Sequence, residues 1–133
     1  MTAEPGLVRE LIRLASTPQG APYSAAVAFG EMVPTSGALP VEPNGTVADD
    51  FATQVRTALR DFETHLEAAG ADRSTLVKIN AYVADIDQLP TLNEVYIEVM
   101  CRAGASARAS GEVSRFRGAT KVEFDAVAYR RQR

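Results

Sequence analysis

The chain predicts an α+β fold, with two helices laid on one face of a β-sheet. Two long segments repeat apolar residues at spacings of three and four, the period of a helix with one buried stripe. Several shorter runs alternate apolar and polar residues, the period of a strand with one buried face. The segments follow one another as β-β-α-β-α-β-β, an order that favours a two-layer arrangement over a bundle or a sandwich.

Taken in order, the chain opens with a loose MTAEPG. Leu7 to Leu14 fits a short strand or a helical turn equally well. The Pro- and Gly-containing stretch Thr17 to Pro22 is a loop that ends at Tyr23. Ser24 to Phe29 and Met32 to Ser36 read as two strands of a hairpin turning at Gly30-Glu31. Thr46 to Ala69 is the clearest helix, its stripe made by Phe51, Val55, Ala58, Leu59, Phe62, Leu66 and Ala69. Asp49 and Asp50 are expected in its first turn, where carboxylates favour the dipole, and Gly70 ends it. His65 sits beside Glu63, Thr64 and Glu67 and reads as a surface histidine.

Thr75 to Ala84 sets Val77, Ile79, Ala81 and Val83 against Lys78, Asn80 and Tyr82, so it is a strand. Pro90 suits the first turn of a second helix, with Leu92, Val95, Tyr96, Val99 and Met100 as its stripe and Asn93 off it. Arg102 to Ser106 leads into the last third. There Ala107 to Ser114 and Val122 to Tyr129 read as a hairpin turning near Arg117-Gly118. Val122, Phe124, Ala126 and Ala128 form its apolar face. The face away from the helices is then expected to carry Lys78, Asn80, Tyr82, Arg108, Glu123 and Asp125, and further copies of the chain are expected to cover it.

Composition narrows the function. At 133 residues the chain reads as one domain, 1–133, with room for a single core. A formal net charge of −3 lacks the basic footprint of nucleic-acid binding, so no nucleic-acid partner is expected. No stretch has the length of a membrane span or the pattern of a signal peptide, which predicts a soluble, cytoplasmic protein without a membrane partner. One cysteine (Cys101) and one histidine (His65) leave no His/Cys metal set and no Ser-His-Asp or Cys-His catalytic set, so no metal is expected.

The residues with chemistry to offer each carry two readings. Arg108 is a fork for a carboxylate or the partner of a structural acid. Glu123 activates a water or faces solvent. Tyr23 donates a hydrogen bond or packs. Ser36-Gly37 presents a hydroxyl and open backbone, or makes a turn. In the expected hairpin, position 108 pairs with 127 and 123 with 112. Arg108 and Glu123 then lie roughly 13 Å apart along the ladder, too far to hold one small ligand within one chain. A shared site would combine Arg108 of one copy with Glu123 of a neighbour.

Several stretches, in order, resemble the reactive intermediate deaminase family, also called Rid, YjgF-like or RidA-like. They are PYSAAVAFGEMVPTSGALPVEPNG, LEAAG, VKINAYVADIDQLPTLNEVY, ARASGEV and KVEFDAVA, spanning about residues 20–130. The resemblance implies a chorismate-mutase-like α+β fold and a homotrimer whose three sheets form a central barrel, with sites in the clefts between subunits. It implies hydrolysis of enamines and imines, such as 2-aminoacrylate, to 2-keto acids and ammonia without a cofactor. In its terms Arg108 grips the substrate carboxylate, Glu123 orients the attacking water and Tyr23 lines the site. Ser36, Gly37, Asn93 and Ser110 are further lining positions.

This chain departs from the family pattern in four places. Ala38 stands where Gln commonly follows Ser-Gly, Ser110 where many members carry Cys, and Phe116 where Leu is usual. The stretch from Met100 to Ala107 is short. Two alternatives stand beside the deaminase reading: a non-catalytic trimeric module binding small carboxylates or 2-keto acids, and an imine hydrolase dedicated to one pathway. A ribonuclease reading has no basic surface or catalytic His behind it.

Overall fold

The computed structural model describes residues 8–131. The MTAEPG opening, Leu7, Gln132 and Arg133 lie outside the described residues. Eight principal elements follow in order. They are β1 (Glu10–Ile12), β2 (Ala26–Ala28), β3 (Met32–Pro34), α1 (Phe51–Ala68), β4 (Leu76–Val83), α2 (Leu89–Met100), β5 (Ala107–Glu112) and β6 (Val122–Tyr129). The first open segment is thus a strand. β1 pairs with β2, and β2 turns into β3 through Gly30-Glu31, with Phe29 and Met32 exchanging backbone hydrogen bonds of 2.9 and 3.0 Å. Gly30 takes φ +60°, the left-handed first position this two-residue turn needs.

The main sheet has the order β3-β6-β4-β5. Both helices lie on one face of it, as expected. Phe51, Val55, Leu59, Phe62 and Leu66 of α1 and Leu92, Val95 and Tyr96 of α2 pack on Ile79, Ala81, Val83, Val122, Phe124 and Ala126. Fully burying each Phe or Leu of this layer contributes roughly 1.5–3 kcal/mol.

The expected C-terminal hairpin does not exist. β5 runs parallel to β4, and β6 pairs with β4 antiparallel from the other side, so β4 lies between them. Gly118 does take φ +59° in a turn, but that turn belongs to the long crossover over residues 113–121. The α2 crossover brings β5 back parallel to β4, as a strand-helix-strand unit does. Position 108 therefore pairs with Ile79 rather than Val127, and 123 with Tyr82 rather than Glu112.

Four smaller corrections follow from local geometry. Helix α1 begins at Phe51, not Thr46, and Asp50 is its N-cap rather than a first-turn residue. Its side chain accepts from the Thr53 N–H at 2.9 Å, and Asp49 lies before the cap. Strand β4 is shifted by a bulge between Leu76 and Lys78, which turns Leu76 toward the core and leaves Val77 outside the apolar row. The third concerns His65, which is buried, because the segment after β3 covers a second flank of α1. Thr57 Oγ1 donates to Glu42 Oε1 there at 2.9 Å. His65 Nε2 lies 3.5 Å from Asp61 Oδ2, and burial pushes the imidazole pKa down against the pull of Asp61. The fourth is Arg108, which points to the helix side of the sheet, as described below.

At its C-terminus α1 closes as expected. Gly70 at φ +85° lets its own N–H reach the Glu67 carbonyl and the Ala71 N–H reach that of Leu66. Among the described residues no helix is long and apolar enough to cross a membrane.

Candidate active site

Facing residues on neighbouring strands share a face, so the register fixes where each candidate side chain goes. Ile79, Ala81 and Val83 point to the helices; their β5 partners Arg108, Ser110 and Glu112 point the same way. Tyr82 points to the opposite face, and so does its β6 partner Glu123. Arg108 and Glu123 lie on opposite faces of one sheet, with β4 between their strands. The sequence-based distance was wrong in its register, yet the separation of the two side chains is real.

Around Arg108 a first cluster forms. Its Nη2 donates to Asn93 Oδ1 at 2.6 Å, and its guanidinium carbon lies 5.0 Å from the centroid of the Tyr96 ring. Asn93 and Tyr96 are three apart on α2, so one helix face supplies both the acceptor and the aromatic platform. Tyr96 is itself buried against Phe124, ring centroids 6.5 Å apart, and burial pushes its phenol pKa up. The guanidinium is thus held by Asn93 and the Tyr96 ring while its other N–H groups make no hydrogen bond among the described residues. Ser110 lies two residues along on the same side, and its buried Oγ has no hydrogen-bond partner among the described residues.

A second cluster forms around Glu123. Its carboxylate lies directly over the backbone of Gly37: a Cβ there would sit 2.0 Å from Glu123 Oε2 and 2.8 Å from Cδ. Gly37 is required for this close approach, not for an unusual φ. The segment is held by Ala38, whose N–H donates to the Phe124 carbonyl at 2.6 Å, while Ser36 Oγ donates to the Ser24 carbonyl at 2.5 Å. Tyr23, beside Ser24, is about half exposed. Asp125, two residues from Glu123 on the same face, accepts from Asn80 Nδ2 at 2.8 Å and from the Tyr82 hydroxyl at 2.9 Å. Burial first, and the nearby Asp125 charge second, raise the Glu123 pKa above that of an ordinary glutamate.

The candidates therefore divide into two groups. Arg108, Asn93 and Ser110 form one, and Tyr23, Ser36, Gly37 and Glu123 the other. Sequence reasoning missed Tyr96 as the platform under Arg108 and Asp125 as the charge beside Glu123. The first signal was the i, i+3 spacing from Asn93, and the second the i, i+2 spacing from Glu123.

Residues 15–130 match the family described as Endoribonuclease L-PSP. The chain belongs to this family. The 2-iminobutanoate/2-iminopropanoate deaminase of Salmonella typhimurium is 37% identical, over 83% of this chain and 88% of that protein. The human protein of the same name is 31% identical, over 92% and 90%. Among solved structures, the YjgF gene product of Escherichia coli superimposes with a TM-score of 0.82 at 34% identity, covering 92% of this chain and 99% of that one. Escherichia coli TdcF with bound serine gives a TM-score of 0.82 at 31% identity, again over 92% and 99%. Membership in the Endoribonuclease L-PSP family thus rests on nearly the whole chain.

Proposed function

We propose that this chain is an imine hydrolase, converting small 2-imino acids and their enamine tautomers to 2-keto acids and ammonia. The observation that supports it most directly is the Arg108 guanidinium, held between Asn93 and Tyr96 and positioned to grip a planar carboxylate. Deaminases of this substrate type among the relatives support the same reading.

In this reading two copies of the chain complete one site. One supplies Arg108, Asn93 and Ser110; its neighbour supplies Tyr23, Ser36, Gly37 and Glu123. The opposite-face geometry favours this, since a small imino acid cannot reach through a sheet. A closed ring of three copies, as the family resemblance implies, repeats the junction three times.

The chemistry is a hydrolysis that balances with water alone. Arg108 binds the carboxylate and fixes the adjacent imine carbon in place. Glu123, ionised, takes a proton from a water as its oxygen bonds to that carbon and passes it to the imine nitrogen, giving a neutral carbinolamine. It then takes the hydroxyl proton and delivers it to the same nitrogen as the carbon–nitrogen bond breaks. The water oxygen ends in the ketone, and both its hydrogens leave with the nitrogen as ammonia. Tyr23 and Ser36 offer hydroxyls beside the reacting carbon. The raised Glu123 pKa suits a group that must both accept and return a proton.

The test is 2-keto acid release from 2-aminoacrylate generated in situ by a dehydratase, with semicarbazide competing for the imine. Wild type should accelerate release. Arg108→Ala should lower kcat/KM roughly 10- to 150-fold, the equivalent of one lost charge-assisted contact. Saturable keto-acid binding with no acceleration would instead favour the non-catalytic module.

A further inference from the structure

Beside the Tyr23 half of the site lies an open cleft of about 510 Å³. We infer that this cleft accepts a second anionic group on the substrate, so that the enzyme takes 2-imino acids whose side chains end in a carboxylate. The inference rests on the imine-hydrolase reading and extends it to a substrate class. Tyr23 and Ser36 line the cleft, so it adjoins the part of the proposed site that those two residues form. Its floor is apolar: Leu11 and Val27 face each other directly across the β1–β2 ladder. Arg9 and Arg13 stand two residues to either side of Leu11, on the same side of the chain by strand alternation.

Among the described residues no Asp or Glu lines this cleft, although acids outnumber bases in the chain as a whole. The two arginines have different work. Arg13 is a brace: Nη1 donates to the Tyr23 carbonyl at 2.9 Å and Nη2 to that of Pro18 at 3.2 Å, tying down the loop that carries Tyr23. Arg9 is exposed and makes no hydrogen bond or ion pair among the described residues. A planar, always-charged fork without a partner among the described residues, at the edge of a cleft they line with no acid, is matched to a carboxylate. The apolar floor suits the methylenes that would join that carboxylate to the imine carbon. A three-carbon imino acid would leave this space unused.

The test compares the imines formed in situ from alanine and from glutamate by an amino-acid oxidase, with catalase present and semicarbazide competing. The quantity read is the ratio of kcat/KM for the glutamate-derived imine to that for the alanine-derived one. Arg9→Ala should lower this ratio about two- to fivefold, and Arg9→Glu should lower it further. High salt should shrink the difference, because the cleft is open to solvent. Arg9 is exposed, so neither variant threatens the fold. A ratio equal to wild type in both variants, with the alanine-derived imine still hydrolysed, overturns this inference and leaves the reading beneath it standing. If wild type hydrolyses neither imine, that reading falls and the inference falls with it.

Discussion

Glu123 holds its proton to higher pH than an ordinary glutamate because it is half-buried and Asp125 stands beside it. In the proposed mechanism, where Glu123 ionises to take a proton from water, the consequence is an acid limb in the pH profile of kcat/KM. Asp125→Asn should move that limb to lower pH. Burial, the larger cause, remains, so the shift is only partial. The consequence for stability has a definite sign. A folded-state pKa above the unfolded one stabilises the fold fully below about pH 4.3, the ordinary glutamate value, and loses that contribution as pH rises through the raised pKa. Glu123→Gln should therefore be more stable than wild type at pH 7, with the difference vanishing near pH 4, as urea titrations at the two pH values would read. Gly37→Ala probes the same contact from below. Its Cβ would displace a flexible carboxylate rather than fixed backbone, so the fold should survive. Activity should drop roughly 100-fold or more, as when a catalytic acid–base loses its position. A Gly37→Ala variant with wild-type kcat would mean that the Glu123 position is not critical.

Among the elements, α1 does more than roof the sheet. Gln54 is fully buried on it; its Nε2 donates to the Ala48 and Ala119 carbonyls at 2.7 and 3.0 Å, and its Oε1 accepts from the Lys121 N–H at 2.8 Å. One side chain thus ties the helix start to the crossover leading into β6, and so to Glu123. Gln54→Leu fills the same space but leaves those backbone groups without partners, and should cost about 2–4 kcal/mol in chemical denaturation. This tie was not legible in the sequence, where a Gln off an apolar stripe looks like a surface residue. The stripes themselves were legible, because Phe51 to Leu66 obeys the helical period without interruption. The β5–β6 hairpin was misread for a related reason. Alternation and a Gly-containing turn are local signals, whereas the insertion of β4 between the two strands is a property of the whole sheet. Val77 fell out of its expected row because one bulge reverses every side chain beyond it.

For the whole molecule, the central feature is a sheet that has one of the two clusters of candidate residues on each face. The residues of both halves were legible as chemical types, but their faces were not. Arg108 was expected on the open face because β5 alternates small residues with polar ones on either side, a pattern that does not say which row is buried. The correct register strengthens the argument for a site between copies, since a sheet now separates the two groups instead of a span of ladder. Mixing of two impaired variants tests this claim most directly. Arg108→Ala and Glu123→Gln chains, each well below a quarter of wild-type activity alone, would be co-assembled in equal amounts and assayed for 2-keto acid release. If each site takes Arg108 from one copy and Glu123 from its neighbour, about a quarter of the sites in a randomly mixed ring are intact, and that fraction of wild-type activity returns. A mixture as inactive as its two parents, with mixed assembly verified, would contradict the account.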